Sequence, residues 1–360
     1  KAQGDIALRK YASETAKEDE FNVRLNVRGD SLTKPGVDVM FVLDNSASMI
    51  YNNPESLVNG RLRKDVSVES LGKLIDQFKK NIPDNLGYLR LGSVIFGSDV
   101  ISTSNLSAQY SDWDQMVTNY QAASTQGHQT YTQGGLIEAQ KRLLADNNGR
   151  RKVIFLLTDG FPNRSRKPVK GKKDSTIFPS QVRITEYVAS ELGDSLQSNG
   201  STSLYVLNNP PWSDVDRRFT IPNIEGGAAL KIESHLDMAN SQAADIRETG
   251  TEIQAIAMGY HSGTLEYHTP EELIKGLYRM TTQRANTTGD SESDYYFYQA
   301  QDLQGFEDSF QDWFQSTLTT VEHGVIEDPL GDMVELVGTP VVTDVSLRNG
   351  LGTESINTDR

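Results

Sequence analysis

Two apolar segments each lead into an aspartate, and they constrain the fold more than any other feature of the sequence. Asp44 directly follows the segment Val37–Leu43, and Asp159 follows Val153–Leu157 after a single threonine. Nearly continuous apolar runs of this length are typical of strands buried on both faces of a parallel sheet. Because the carboxyl ends of parallel strands meet at one edge, the two aspartates are expected to lie close together.

Hydroxyl side chains accompany both aspartates. Ser46 and Ser48 follow Asp44, and Thr130 lies in a Gln-Thr-Tyr-Thr segment that is predicted to open a helix. The five side chains offer only oxygen, which suits Mg²⁺, Mn²⁺ or Ca²⁺ rather than zinc or copper. The residues leave the choice among these three ions open, and we expect Mg²⁺ first. With two carboxylates among the donors, such an ion keeps positive charge and an open position for an acidic group. The alternative is that these are ordinary loop carboxylates and helix caps.

Between residues 36 and 322 the patterns of strands and helices alternate. A helix over Asp65–Ile82 has apolar residues at spacings of three and four. Further strands are predicted at 89–96, 100–103, 204–207, 252–258 and 295–299, and further helices at 110–123, from the Thr130 loop to about 145, and at 178–198, 231–248, 271–282 and 303–320. This alternation predicts an α/β fold: a doubly wound, mostly parallel sheet with helices on both faces and long insertion arms at about 160–230.

Sequence of the β type flanks this region on both sides. Glu20–Val27 alternates apolar and polar residues, and Val334–Val337 and Val341–Leu347 have strand character after the last predicted helix. We therefore expect residues 1–35 and 323–360 to pair into a small, split β-sandwich that carries residues 36–322 as an insertion.

The aspartates and hydroxyls match a known motif. Asp44-Asn45-Ser46-Ala47-Ser48 fits the D-x-S-x-S signature of von Willebrand factor A-type domains, as found in integrin I domains, and Thr130 and Asp159 resemble the two other parts of that family's metal-ion-dependent adhesion site. The resemblance implies that Ser46 and Ser48 bind the ion directly and Thr130 directly or through water. It implies mostly water-mediated contacts for Asp44 and Asp159.

The flanks, the long insertions and the run Ile326–Met333 resemble the tip adhesins of sortase-assembled pili and related cell-wall adhesins of Gram-positive bacteria. This resemblance implies an extracellular, wall-anchored or pilus-tip location and a host matrix protein, cell-surface protein or glycan as ligand. A pilus backbone subunit would be contacted through regions outside this fragment. Because the chain starts at Lys1 without a signal peptide or an initiating Met, we expect it to be an excised part of a longer protein.

A cluster of basic residues follows Asp159, in a chain whose net charge is −14. Two interpretations stay open: a solvated, mobile arm, or a surface that attracts an anionic ligand, such as an acidic protein segment or a sulfated glycan. The six residues are Arg164, Arg166, Lys167, Lys170, Lys172 and Lys173.

Lys10 is a candidate for covalent cross-linking. Pilin-type sandwiches similar to the expected one contain Lys–Asn isopeptide bonds, and the resemblance makes Lys10 the amine and Asn349 or Asn357 the amide. The alternative is an exposed lysine ahead of the first strand.

Composition narrows the function classes. The net charge of −14 argues against a nucleic-acid partner. No run approaches the roughly 20 apolar residues of a membrane span, and the absence of cysteine excludes disulfides and thiolate metal sites. We find no Gly-x-Ser-x-Gly elbow and no phosphate loop, and we expect no enzyme activity. The alternative function is an intracellular A-type domain that acts as a metal-dependent scaffold for an ATPase partner.

Overall fold

The computed structural model divides into two units, one formed by Lys1–Gly36 with Gln311–Arg360 and the other by Val37–Phe310. The structure describes residues 6–29, 36–52, 57–82, 84, 87–125, 129–146, 149–160, 162–188, 204–205, 219–232, 234–258, 270–284, 290–300, 304–305, 308 and 337. The predicted strands at 334–337 and 341–347 fall outside these residues, apart from Val337. The β-sandwich therefore stays a prediction.

The described part of the first unit is an antiparallel hairpin of β1 (Ile6–Glu14) and β2 (Phe21–Gly29). Strand β2 was expected, but β1 was not, because Lys10 and Glu14 interrupt its apolar alternation. Lys10 is thus an exposed residue within a strand, opposite Leu25, and does not precede the first strand.

The second unit contains a six-stranded sheet with helices. In chain order its elements are β3 (Val37–Asp44), a 3₁₀ turn (Ala47–Ile50), β4 (Leu57–Val58), β5 (Arg61–Leu62), α1 (Arg63–Asn81), β6 (Leu89–Phe96), β7 (Val100–Ser107), α2 (Tyr110–Ala122), α3 (Thr132–Leu144), β8 (Arg151–Thr158), β9 (Ser165–Arg166), β10 (Pro168–Lys173), β11 (Val182–Tyr187), β12 (Leu204–Tyr205), β13 (Phe219–Ile221), β14 (Leu230–Ile232), α4 (His235–Glu248), β15 (Glu252–Met258), α5 (Pro270–Met280), a second 3₁₀ turn (Glu292–Asp294) and β16 (Phe297–Ala300).

The strand order of the sheet is β16-β15-β8-β3-β6-β7, and every neighbouring pair is parallel except β6 with β7. The predicted doubly wound, mostly parallel sheet is therefore confirmed. All eight residues of β3 are buried, as expected of a central strand covered on both faces. None of the described helices is both long enough and apolar enough to span a membrane.

Helices α3, α4 and α5 share one apolar core with the sheet. Helix α3 approaches the sheet closely at Gly135, where a Cβ atom would lie 2.8 Å from Val42 Cγ1 and 3.0 Å from Phe96 Cδ1. Helix α1 packs against α2 through the rings of Phe78 and Trp113, whose centroids are 6.3 Å apart. The close contact at Gly135 holds the loop before α3, and with it Thr130, at the carboxyl edge of β3 and β6.

The largest error of the sequence-based prediction lies after β8. The expected helix at 178–198 is strand β11 over its described residues 182–187, and the expected polar arm contains β9 and β10. Apolar residues spaced four apart suggested a helix, but Val182 and Ile184 are two apart and both are buried, as strand pairing with β10 requires. The predicted helix at 231–248 starts at His235, after the short strand β14. Most of the predicted helix at 303–320 lies outside the described residues.

Candidate metal centre

The loop after β3 is organised by the side chain of Asp44. Its Oδ1 accepts the backbone N–H of Ser46 at 2.7 Å, and its Oδ2 accepts the Thr158 hydroxyl, at the end of β8, at 2.7 Å. The carboxylate is fully buried. Asp44 therefore fixes the start of the Ser46–Ser48 turn and joins the ends of the two central strands.

Asp159 connects this turn to the second loop. Its Oδ1 accepts the Ser48 hydroxyl at 2.9 Å, and the Ser48 and Ser46 hydroxyl oxygens are 3.1 Å apart. Its Oδ2 accepts Arg63 Nη1 at 2.8 Å, in an ion pair whose side chains are 5% and 1% exposed. Among Asp44, Ser46, Ser48 and Asp159, only Ser48 is partly exposed, so the cluster reaches the solvent at this residue.

Thr130 belongs to a third loop at the same edge. Its backbone N–H donates to Asn163 Oδ1 at 2.7 Å, and its carbonyl accepts the Asn163 N–H at 3.2 Å. The next residue, Tyr131, donates its N–H to the Gly97 carbonyl just beyond β6, at 2.9 Å. The structure thus joins the Thr130 loop to the loop after Asp159, while the hydrogen bonds that link Asp44, Ser46, Ser48 and Asp159 do not include the Thr130 side chain.

The spacing of the oxygens fits a small divalent cation. Mg²⁺ prefers octahedral coordination at about 2.0–2.1 Å, so neighbouring ligand oxygens lie about 2.9 Å apart. The separations of 3.1 Å between the serine hydroxyls and 2.9 Å between Ser48 and Asp159 are close to this value. No group of three or more His, Asp or Glu side chains suited to a metal occurs among the described residues. Hydroxyl oxygens would therefore supply part of the coordination.

Burial controls the protonation of the two carboxylates. Burial, and after it the negative charge of Asp159, raises the pKa of the Asp44 carboxyl to about 7. The pKa of Asp159 is also raised by burial, although the Arg63 guanidinium works in the opposite direction. Two buried carboxylates that repel each other are stabilised by any cation that binds between them.

The sequence model of the von Willebrand factor type A domain family matches residues 38–216, the segment that contains all five predicted metal-site residues. The chain therefore belongs to the von Willebrand factor type A domain family. No curated protein matches this sequence.

Solved structures share the fold of this A-type domain protein. The pilus adhesin SpaC from Lactobacillus rhamnosus GG, in its open conformation, superposes with a TM-score of 0.63 at 20% identity, over 87% of this chain and 34% of that chain. The pilus adhesin RrgA from Streptococcus pneumoniae gives a TM-score of 0.54 at 15% identity, over 86% of this chain and 49% of that one. The adhesive tip pilin of Group B Streptococcus agalactiae gives a TM-score of 0.52 at 16% identity, over 78% of this chain and 99% of that one. Our chain spans about a third of the SpaC chain.

The six basic residues do not form one solvated arm in the A-type domain. Arg164 is 6% exposed and donates to Gln129 Oε1 at 3.2 Å, so it cannot line a surface for ligands. The others belong to β9, β10 and their junction: Arg166, Lys167 and Lys172 are partly buried, Lys170 forms an ion pair with Glu186 at 2.5 Å, and Lys173 is exposed. A shared role for Arg166, Lys167, Lys170, Lys172 and Lys173 in ligand binding stays a prediction.

Three residues at the site escaped the sequence analysis: Arg63, Thr158 and Asn163. For Arg63 a signal existed, because a basic residue at the start of a helix opposes the helix dipole and needs a local reason. For Thr158 and Asn163 no spacing rule would have selected them. The cross-link also stays a prediction, since Asn349 and Asn357 lie outside the described residues.

Proposed function

We propose that this A-type domain is a divalent-cation-dependent adhesion module of a bacterial surface or pilus-tip protein. The observation that supports the proposal is the chain of oxygens from Ser46 through Ser48 to Asp159, held at the spacing of metal ligands. Ser46 and Ser48 would bind the ion, with Asp159, Asp44 and Thr130 completing the site. The ion would act as an electrophilic anchor for an acidic group of the partner.

The preferred ion in this proposal is Mg²⁺, with Mn²⁺ as its closest substitute. Both are hard cations of octahedral preference that bind carboxylate and hydroxyl oxygens. Since two carboxylates, at Asp44 and Asp159, face the divalent ion and Arg63 adds a positive charge, the loaded site would retain a charge of +1. A carboxylate or sulfate from a partner would neutralise it.

Two exposed side chains with apolar surface follow the Ser46–Ser48 turn in the sequence. Ile50 and Tyr51 follow the Ser48 turn directly and are 36% and 42% exposed. Aromatic residues next to a charged anchor are typical of protein-binding surfaces. In our proposal the ion binds the acidic group while Ile50 and Tyr51 contact the adjoining part of the ligand.

The proposed location is extracellular, at the cell wall or the pilus tip, and the proposed ligands are host matrix proteins, cell-surface proteins or glycans. The similarity of fold to three pilus proteins supports this location. Contacts with a pilus backbone subunit would use regions outside this chain. We propose a binding role without catalysis, because Ser46 and Ser48 would be engaged as ligands of the ion.

A binding screen tests the proposal. The protein is applied to immobilised matrix proteins and a sulfated glycan in Mg²⁺ and again with EDTA, together with Ser48→Ala. We expect binding in Mg²⁺ that EDTA and Ser48→Ala each reduce at least tenfold. Ser111→Ala is the matched control, since Ser111 is exposed at the opposite end of α2 from the Ala123 carbonyl that contacts Asn45. Binding that is insensitive to EDTA and to Ser48→Ala contradicts the proposal.

Tyr51 provides a second prediction. Tyr51→Ser is expected to weaken ligand binding by about tenfold, the usual effect of truncating an aromatic contact of about 1–2 kcal/mol. It should leave the metal affinity unchanged, because Tyr51 follows the Ser46–Ser48 turn and supplies no metal ligand. Surface plasmon resonance against the ligand found in the screen, beside a calorimetric Mg²⁺ titration, separates the two quantities. If the variant and the wild type bind the ligand with equal affinity, Tyr51 does not contribute to the interface.

A further inference from the structure

Arg63 lies directly against the candidate metal centre. It is the first residue of α1, its side chain is 5% exposed, and its Nη1 donates to Asp159 Oδ2 at 2.8 Å. The same carboxylate accepts the Ser48 hydroxyl through its other oxygen. One oxygen of Asp159 therefore accepts the permanent cation of Arg63, while the other accepts the hydroxyl of Ser48, which would be a ligand of the proposed ion.

The position of Arg63 is unfavourable on general grounds. A cation at the N-terminus of a helix opposes the helix dipole, and a buried cation loses its hydration. The next residue, Lys64, is 8% exposed and is also basic, and burial lowers its pKa. Lys64 Nζ donates to the Ala123 carbonyl, not to either carboxylate of the site. The Arg63–Asp159 ion pair is thus an interaction that offsets the cost of placing Arg63 there.

The effect of Arg63 on the charge balance of the site depends on whether a divalent ion is bound. Without a metal ion, Asp44 and Asp159 bring two carboxylates into a buried space, and Arg63 supplies one opposing charge. With a divalent ion present, Arg63 becomes a like charge that shares Asp159 with that ion. Charges that meet at one buried carboxylate are poorly screened, so each weakens the binding of the other.

We propose that Arg63 is an internal cation that competes with the divalent ion for Asp159. It stabilises the arrangement of the loops before the metal binds, and it lowers the affinity for the metal. The inference rests on the proposed function, because it assumes that the ion binds at this site. Thermodynamic reciprocity requires that the metal weaken the contribution of Arg63 to stability by the same factor as Arg63 weakens the metal.

The test measures Mg²⁺ and Mn²⁺ affinity by calorimetry, and the melting temperature in EDTA and in saturating Mg²⁺. The variants are Arg63→Gln, Arg63→Met, which keeps the aliphatic stem, and Arg63→Lys, which keeps the charge. Arg61→Gln is the matched control, because Arg61 is 45% exposed in β5 and donates to Glu69 at 2.7 Å.

We expect Arg63→Gln and Arg63→Met to bind Mg²⁺ about tenfold more tightly than the wild type. In EDTA, both variants should melt at a lower temperature than the wild type. In saturating Mg²⁺, most of this difference in melting temperature should disappear. Arg63→Lys and Arg61→Gln should stay within about threefold of the wild-type affinity. Unchanged or weaker metal binding in both neutral variants overturns the inference but leaves the proposed function intact. Absence of Mg²⁺ and Mn²⁺ binding by the wild type overturns both.

Discussion

Asp159→Ala is expected to destabilise the metal-free protein by about 3 kcal/mol and to abolish metal binding. The substitution removes the carboxylate that neutralises Arg63, and breaking a buried ion pair on one side costs about 3–5 kcal/mol. We expect the lower end of this range because Asp159→Ala also removes the repulsion between the carboxylates of Asp159 and Asp44. Scanning calorimetry in EDTA should show a melting temperature lower by about 6 °C.

The double variant Asp159→Ala/Arg63→Met supplies the control for this prediction. Replacing a whole buried ion pair with apolar groups is often neutral, so the double variant should recover most of the lost stability and still bind no metal. A double variant that melts as low as Asp159→Ala would show that the loss comes from disrupted loops and not from the charge of Arg63. Metal binding by Asp159→Ala would show that Asp159 is not part of the site.

Asp38→Asn is the second substitution with a large expected effect, and it acts at the opposite edge of the sheet. Asp38, in β3, is fully buried and accepts Arg90 Nε and Nη2 at 2.8 and 2.6 Å and Arg150 Nε at 2.6 Å. An amide cannot neutralise two guanidinium groups. We expect a loss of about 3 kcal/mol at pH 7, measured by urea unfolding.

The effect of Asp38→Asn should depend on pH. Burial alone would raise the pKa of Asp38, but the hydrogen bonds from Arg90 and Arg150 outweigh it and hold the pKa below the ordinary 3.8. The contribution of Asp38 to stability is therefore complete above about pH 5 and is lost as the pH falls below about 4 toward the folded-state pKa. The difference between wild type and variant should narrow at pH 3.5, and a constant difference would contradict this account.

Asp146→Asn is the matched control at this edge. Asp146 accepts the same Arg90 at 2.9 Å, but its side chain is 49% exposed. Exposed ion pairs contribute about 0–1 kcal/mol, so this variant should unfold close to the wild type. A loss as large as that of Asp38→Asn would mean that burial of Asp38 does not decide the effect.

The sheet and the positions of Asp44 and Asp159 at its edge could be predicted because each has a strong local signal. The nearly continuous apolar runs of β3 and β8 predict buried parallel strands, and β6 and β15 have the same bounds in the sequence analysis as in the structure. The placement of Asp44 and Asp159 follows from the ends of β3 and β8 alone. Here the local pattern and the tertiary fold agree, and sequence reasoning succeeds for this reason.

The region after β8 could not be predicted because its structure depends on distant partners. Strand β11 is defined by its pairing with β10 and by the contact of Ile184 N–H with Ser241 of α4, at 2.9 Å. Arg164 was expected at the surface because it belongs to a cluster of basic residues, but it is buried and donates to Gln129. The Arg63–Asp159 pair joins residues 96 positions apart, which no local pattern can indicate.

Anomalous diffraction from a crystal soaked in Mn²⁺ tests the central claim most directly, because it locates the ion and not only its effect. We predict one strong anomalous peak within about 2.2 Å of the Ser46 and Ser48 hydroxyl oxygens, with Thr130 and the two carboxylates around it. The peak should be absent from crystals of Ser48→Ala. A well-ordered wild-type crystal without density at this position, or with its peak elsewhere, would contradict the assignment of the metal centre.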